Sequence, residues 1–201
     1  MLFFIPFTVF ANCEEGLSLY KKKWLDKKNL PVIQVGKRKM ELMDCLGAGG
    51  SGAVFSIKGV PNKTIKIFYN KNEEEIAVLQ KADSIFSSIG IPIPKTYETS
   101  NNKSKYTYII KEKLVNSGDY YCDRKIPFPN FKNLKSLLSK IRDYNLKNIG
   151  ELGLKDFKPN NFMHDNKNTW YFIDPLMIKI INEIHADPFK DQISGWPDCL
   201  K

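Results

Sequence analysis

A group of side chains with oxygen ligands and positive charge is concentrated in residues 154–174. Asp156 is followed by Lys158 two residues later and by Asn161 five residues later, and Asp174 ends an apolar, strand-like run. A loop can expose the first three side chains together, and a returning strand can place the second carboxylate beside them. Two carboxylates and an amide oxygen suit Mg²⁺, which prefers hard oxygen ligands and nucleotide phosphates. The segment therefore predicts a catalytic loop, a short β-hairpin and a metal-binding aspartate.

A second chemical pattern lies upstream, in the run E-L-M-D-C-L-G-A-G-G-S-G-A-V-F-S-I-K of residues 41–58. Gly47, Gly49 and Gly52 have the spacing G-x-G-x-x-G, and glycines let backbone amides approach phosphates closely. Dinucleotide-binding folds share this spacing, but their glycine turn leads into a helix. Here β-branched and aromatic residues follow Gly52 and predict a strand. A strand–loop–strand that covers phosphates is therefore favoured over a dinucleotide turn, and a glycine hairpin without a ligand is the alternative.

Two charged residues between these motifs lie on elements that could position them. Lys66 is in the middle of the predicted strand T-I-K-I-F-Y, fourteen residues after Gly52. Residues 71–88 predict a helix, with Asn72 as its cap and Glu75 three residues later, as in a capping box. A mid-strand lysine usually faces solvent, and a glutamate in the first turn of a helix stabilises the helix dipole. Residue type alone therefore does not show whether Lys66 and Glu75 belong to a functional site or have only these structural roles.

The remaining elements form a framework around these motifs. Residues 95–98 and 105–113 predict two strands. Apolar residues recur with helical spacing over 131–148, and this helix is expected to support the catalytic loop from behind.

The composition is that of a soluble globular chain with an excess of positive charge. Its 201 residues suffice for one domain or two small lobes with a buried core, and 42% are apolar. The net charge is +9, and lysine provides 28 of the 31 basic residues. Lysine without arginine is weak evidence for nucleic-acid readout, so we predict no nucleic-acid partner. We interpret the charge as a solvated surface, with attraction of an anionic nucleotide or an acidic partner as the alternative.

The cysteines bear on the redox compartment. They stand at positions 13, 45, 122 and 199, and no C-x-x-C pair occurs, which argues against a zinc site. Reduced thiols in a cytosol are the expected state.

The first eleven residues, M-L-F-F-I-P-F-T-V-F-A, are apolar but contain Pro6 and no preceding basic residue. They are too short to span a bilayer. A secretion signal, a hydrophobic tail that packs on the domain and a start assigned too early all stay open as interpretations.

The two motifs together resemble those of protein kinases. D-x-K-P-x-N matches the kinase signature H-R-D-L-K-x-x-N, and the later aspartate matches D-F-G. The chain departs from the family at Leu154 (His or Tyr), at Lys155 (Arg), and at Pro175 and Leu176 (Phe-Gly). The missing arginine implies activity without a phosphorylated activation loop. Because 27 residues follow Asp174 in this sequence, the resemblance implies a strongly reduced large lobe.

The resemblance implies an α+β fold of the bilobal protein-kinase type. We expect a five-stranded N-lobe sheet with one helix and a strongly reduced helical C-lobe. Residues 1–25 would be an N-terminal extension, 26–114 the N-lobe and 115–201 the C-lobe.

The resemblance also implies roles for individual residues. Asp156 would accept the substrate proton, Lys158 would neutralise the γ-phosphate, and Lys66 would orient the other phosphates while held by Glu75, or by Glu74 as the alternative. Asn161 and Asp174 would hold Mg²⁺, with Mn²⁺ as a substitute. ATP would contact the glycine loop and the backbone of the hinge, at Gly47, Gly49, Gly50, Ser51, Gly52, Val54, Glu112 and Leu114.

The chain is most similar to the reduced kinases that pathogenic bacteria inject through type III secretion. Within that group it resembles the virulence effectors that phosphorylate and inactivate the host's ninety-kilodalton heat-shock chaperone. This implies a serine/threonine-protein kinase in the host cytoplasm, monomeric and without stable membrane association. The alternatives are a pseudokinase binding module, a kinase-fold enzyme that transfers AMP, and a small-molecule kinase of the aminoglycoside type.

Overall fold

The computed structural model describes residues 13, 32–35, 38–70, 73–101, 104–114, 131–156, 161–165, 167, 169–173 and 175–188. These residues include ten strands and three helices. The strands are β1 Val32–Val35, β2 Arg38–Ala48, β3 Gly52–Ile57, β4 Val60–Phe68, β5 Thr96–Thr99, β6 Tyr108–Glu112, β7 Leu152–Lys155, β8 Phe162–His164, β9 Trp170–Phe172 and β10 Leu176–Lys179, and the helices are α1 Glu74–Ser88, α2 Phe131–Lys147 and α3 Glu183–Ala186. The α+β class is confirmed.

The chain divides into two compact units. Unit 1 comprises Met1–Ile76 and Lys95–Lys113, and unit 2 comprises Ala77–Pro94 and Leu114–Lys201. Each unit has its own cluster of buried apolar side chains.

Unit 1 contains a curled antiparallel sheet of six described strands in the order β1-β2-β3-β4-β6-β5. The prediction of five strands was wrong by one, because the lysine-rich context of β1 obscured a four-residue alternation. Ile33 and Val35 are buried, whereas Val32 and Gln34 are exposed, as expected for a strand with one face on the core. The central strands β3 and β4 contribute Phe55, Ile65 and Ile67, which are fully buried. Burial of each such side chain contributes roughly 1.5–3 kcal/mol.

A disulfide bond joins Cys13 to Cys45, which lies on β2. Their Cα atoms are 6.0 Å apart, within the normal range for such a bond. The prediction of reduced thiols was therefore wrong for this pair, because sequence spacing cannot show which cysteines meet in the fold. Cys122 and Cys199 lie outside the described residues.

Unit 2 is built around helix α2 and two small sheets. The apolar face predicted for α2 is confirmed, since Leu134, Leu137, Leu138 and Ile141 are all buried. The sheets pair β7 with β10 and β8 with β9, both antiparallel. Aromatic rings from β8 and β9 stack in the core at 4.7 Å between centroids. No helix in the described part of the chain is long and apolar enough to cross a membrane.

Helix α1 has a narrower apolar face than the sequence predicts. Ile76, Leu79 and Phe86 are buried as expected, but Val78 is 41% exposed. Asn72, the predicted cap, lies outside the described residues.

Candidate functional site

Asp156 directly follows strand β7 and has a left-handed backbone, with φ of 71°. Aspartate tolerates this region better than most residues, but a backbone of this kind still costs on the order of 1–3 kcal/mol. The Nδ2 group of Asn161 donates to both the carbonyl oxygen and the Oδ2 atom of Asp156, each at 2.8 Å. Both residues are almost fully buried, at 6% and 1% exposed. The two bonds therefore hold the backbone and the carboxylate of Asp156 in one orientation.

The same bonds orient the amide of Asn161. Because Nδ2 faces Asp156, the oxygen Oδ1 is on the opposite side of the amide, and it is buried. An amide oxygen is a good ligand for a hard cation. Asn161 thus fits the metal-holding role. Asp174, the carboxylate predicted to share that role, and the cationic Lys158 lie outside the described residues.

The hairpin of β8 and β9 positions Asn161. The carbonyl oxygen of Asn161 accepts a bond of 2.8 Å from the Ile173 amide, which continues the pairing of the two strands. At the hairpin turn, Asp165 accepts from the amides of Lys167 and Thr169, each at 2.9 Å. Burial alone would raise the pKa of Asp165, but these amide donors together lower it. Sequence reasoning missed Asp165, and its contacts indicate a role in the turn.

Lys155, the residue that replaces the family's arginine, is 4% exposed. Its Nζ donates to the carbonyl oxygen of His185 at 3.0 Å, which ties the end of β7 to helix α3. Burial lowers the pKa of Lys155 to about 8. Lys155 is therefore committed to a structural contact within unit 2.

The lowered pKa of Lys155 predicts a pH dependence of stability. In the unfolded chain the lysine titrates near its ordinary value of 10.5, whereas in the folded chain it titrates at about 8. Below pH 8 the folded state carries the full cost of a buried charge. Between pH 8 and 10.5 only the folded state releases the proton, so this cost is relieved as the pH rises.

The expected result is that Lys155→Met removes this contribution and makes stability rise less, or fall more, than in the wild type between pH 8 and 10.5. Urea unfolding at several pH values measures the difference between the two proteins. The exposed Lys135 provides a matched control, since Lys135→Met should keep the wild-type profile. Identical profiles for Lys155→Met and the wild type would contradict the assignment.

The glycine motif forms the hairpin between β2 and β3 in unit 1. Gly47 lies opposite Val54, and the amide of Gly49 donates to the carbonyl oxygen of Gly52 at 2.9 Å. The carbonyl oxygen of Ser51 accepts from Tyr69 at 3.0 Å, which attaches the loop to the end of β4. A strand, not a helix, follows the loop, so the dinucleotide turn is excluded. The half-buried residues of the motif are Gly47, Gly49, Gly50, Ser51 and Val54.

The fold requires glycine at some positions of the motif but not at others. A Cβ atom at Gly52 would lie 2.3 Å from the Ile67 carbonyl oxygen on the neighbouring strand, so packing alone demands glycine there. A Cβ atom at Gly47 would meet nothing within 4 Å. Packing therefore leaves Gly47 unexplained, and a ligand that approaches the backbone would explain it.

Substitution of Gly52 and of Gly47 can therefore distinguish a loop that is only structural from one that covers phosphates. Gly52→Ala should destabilise unit 1 by about 1–3 kcal/mol, as overpacking does. Gly47→Ala should leave the thermal midpoint unchanged but weaken ATP binding by about tenfold, which corresponds to about 1.4 kcal/mol. Calorimetric titration with ATP and a thermal melt measure the two effects. Unchanged ATP affinity in Gly47→Ala would favour the hairpin without a ligand.

Lys66 and Glu75 both belong to unit 1. Lys66 is half-buried in the middle of β4, opposite Val54 on β3, and its Nζ lies 5.3 Å from the centre of the Phe68 ring. Glu75 is half-buried in the first turn of α1, whereas Glu74 is exposed. Burial does not show which glutamate is near Lys66, so the pairing of Lys66 with Glu75, or with Glu74 as the alternative, stays a prediction.

The predicted hinge follows strand β6. The amide of Glu112 donates to the Lys95 carbonyl oxygen at 2.8 Å, and the Glu112 carboxylate accepts from the Lys95 amide at 3.3 Å. Because its amide is engaged, Glu112 could offer adenine only its carbonyl oxygen. Leu114 is half-buried just beyond the strand.

Comparison with known proteins finds no protein-family model and no curated protein that matches this chain. The kinase resemblance therefore depends on the motif residues themselves. The described geometry adds the pairing of Asp156 with Asn161 and the strand–loop–strand of the glycine motif.

Proposed function

We propose that this protein is an ATP-dependent serine/threonine kinase. The observation that carries the proposal is the Asp156–Asn161 pair, in which one short loop fixes a carboxylate and directs an amide oxygen away from it. A positioned base and a metal-holding amide in this spacing are what phosphoryl transfer to a hydroxyl requires. The antiparallel order β2-β3-β4-β6-β5, with a glycine loop between β2 and β3, is compatible with a kinase N-lobe.

In this mechanism the chain mainly positions groups and balances charge. Asp156 accepts the proton of the substrate hydroxyl as the oxygen forms a bond to the γ-phosphorus. The bond from the γ-phosphorus to the bridging oxygen breaks, and ADP leaves with that oxygen. Lys158 neutralises charge on the transferring group, and Lys66 orients the remaining phosphates. Mg²⁺, when held by Asn161 and Asp174, would supply further charge neutralisation.

We further propose a protein substrate. From the resemblance to secreted bacterial kinases we propose a substrate in a host cell, with the ninety-kilodalton heat-shock chaperone as the first candidate. A net charge of +9 suits an acidic partner, because opposite charge accelerates encounter.

The test is to incubate the purified protein and its Asp174→Ala variant with Mg²⁺ and labelled ATP. A eukaryotic lysate and the purified chaperone serve as separate substrates. Label from the γ-phosphate on a host protein, lost in the variant, is the expected result. Label from the α-phosphate would instead establish transfer of AMP. Absence of both labels would overturn the proposal in favour of a pseudokinase.

A further inference from the structure

Asn145 is a fully buried polar residue on helix α2, and it contacts the strand that leads to Asp156. Its Nδ2 donates to the Leu154 carbonyl oxygen at 2.9 Å, and its Oδ1 accepts from the Leu154 amide at 2.9 Å. Both backbone groups of Leu154 are therefore bonded to one side chain. Asn145 thus makes the two backbone hydrogen bonds that a neighbouring strand would make on that side of β7.

The sequence of β7 permits this close approach. A Cβ atom at Gly153 would lie 2.5 Å from Oδ1 of Asn145 and 2.4 Å from Cγ1 of Ile180. Only glycine lets the helix and the segment after β10 come this close to β7. The contact between Asn145 and Leu154 thus depends on a glycine one residue before Leu154.

Asn145 also binds the segment after β10. Its Nδ2 makes a second bond, of 3.3 Å, to the carbonyl oxygen of Ala186 at the end of α3. The preceding carbonyl oxygen, of His185, accepts from Lys155. Two carbonyl groups at the end of this four-residue helix are therefore capped by side chains from α2 and β7.

We propose that Asn145 is a positioning residue for the transfer reaction, acting on Asp156 through the backbone of Leu154. Asp156 is two residues from Leu154 and has a left-handed backbone, so a small rotation of the end of β7 would move its carboxylate. Asn161 holds Asp156 from the downstream side, and Asn145 holds the strand from the upstream side. The inference rests on the proposed kinase function. It identifies Asn145, which lies outside the sequence motif, as a residue that the reaction needs.

The experiment compares Asn145→Asp with the wild type in steady-state phosphoryl transfer, using ATP and the host protein labelled above. The variant keeps the size of the side chain but exchanges its two N–H donors for a carboxylate oxygen. We expect kcat to fall on the order of 10–100-fold, since a displacement of about 1 Å can cost that much. The KM for ATP should stay within about twofold, because only the approach of the hydroxyl to Asp156 is impaired.

A pH profile provides a readout that general destabilisation would not produce. Burial raises the pKa of a carboxyl group, and the protonated form regains one donor for the Leu154 carbonyl oxygen. The kcat of Asn145→Asp relative to that of the wild type should therefore increase as the pH is lowered. Ile141→Val is the matched control, because it creates a small cavity on the same buried helix face but leaves both hydrogen bonds between Asn145 and Leu154 in place, and it should keep the wild-type kcat.

Should Asn145→Asp fail to fold, Asn145→Ser decides the question, since it introduces no charge. A folded Asn145→Ser or Asn145→Asp variant with kcat within about twofold of the wild type would overturn the inference and leave the kinase proposal intact. A wild-type protein that transfers no γ-phosphate would overturn the kinase proposal, and the positioning role would fall with it.

Discussion

Replacement of Asp156 by asparagine should lower kcat for γ-phosphoryl transfer on the order of 10²–10⁴-fold, the usual contribution of a positioned general base. The amide cannot accept the hydroxyl proton, but it has the size of the carboxylate. Its oxygen can still accept the hydrogen bond from Asn161, and asparagine tolerates a left-handed backbone. The fold and the affinity for ATP should therefore stay close to those of the wild type.

The measurement for Asp156→Asn combines initial rates with calorimetric titration of ATP and a thermal melt. Asp143→Asn is the matched control, because Asp143 is an exposed aspartate on α2 that pairs with its neighbour Arg142. It should keep the wild-type kcat. A folded Asp156→Asn variant that retains kcat would remove Asp156 from the reaction.

Loss of the Cys13–Cys45 disulfide should lower the free energy of unfolding of unit 1 by about 2–4 kcal/mol. The bond closes a segment with a sequence separation of 32 residues, and cross-links of this length restrict the unfolded chain by about that amount. For a chain of this size the thermal midpoint should fall by roughly 4–16 °C. Cys45 also lies on β2, the strand that leads into the glycine loop. We therefore expect loss of the disulfide to make the loop less ordered as well.

A thermal melt with and without a phosphine reductant measures the effect of the disulfide. The reductant should lower the midpoint of the wild type and leave the midpoint of a Cys13→Ser/Cys45→Ser double variant unchanged. Cys122→Ser and Cys199→Ser serve as single-cysteine controls that should keep the response to reductant. Equal midpoints for the wild type with and without reductant would show that the bond contributes no stability.

Local patterns in the sequence predicted most of the elements. The β-branched and aromatic residues after Gly52 predicted β3, because such side chains suit a pleated sheet surface. The helical spacing of Leu134, Leu138 and Ile141 predicted α2, because it shows which face of the helix is buried. Strand β1 was missed because four residues give too few repeats to outweigh a lysine-rich context. A short edge strand forms through pairing with its neighbour, and that pairing has no local signature.

The closeness of Asp156 and Asn161 could be predicted from the sequence, but their geometry could not. The spacing of Asp156 and Asn161 indicated that they are close, whereas the left-handed backbone depends on contacts that are distant in sequence. A signal for Asn145 did exist, since it continues the spacing of Leu138 and Ile141 and so places an amide on the apolar face. A buried polar residue must find partners, and this requirement could have directed attention to it.

The disulfide could not be predicted from the sequence for a different reason. Four cysteines allow three complete pairings, and spacing alone does not select among them. The choice between thiols and a disulfide also depended on the assumed compartment.

The six-stranded sheet of unit 1 ends at each described edge in a strand of only four residues, β1 and β5. An edge strand presents open hydrogen-bonding groups to other chains, and a short one offers too few of them for firm attachment. The β5 edge, T-Y-E-T, is also polar and carries a negative charge, and Pro92 and Pro94 precede it. Both ends of the sheet therefore discourage the strand-by-strand growth that leads to aggregation.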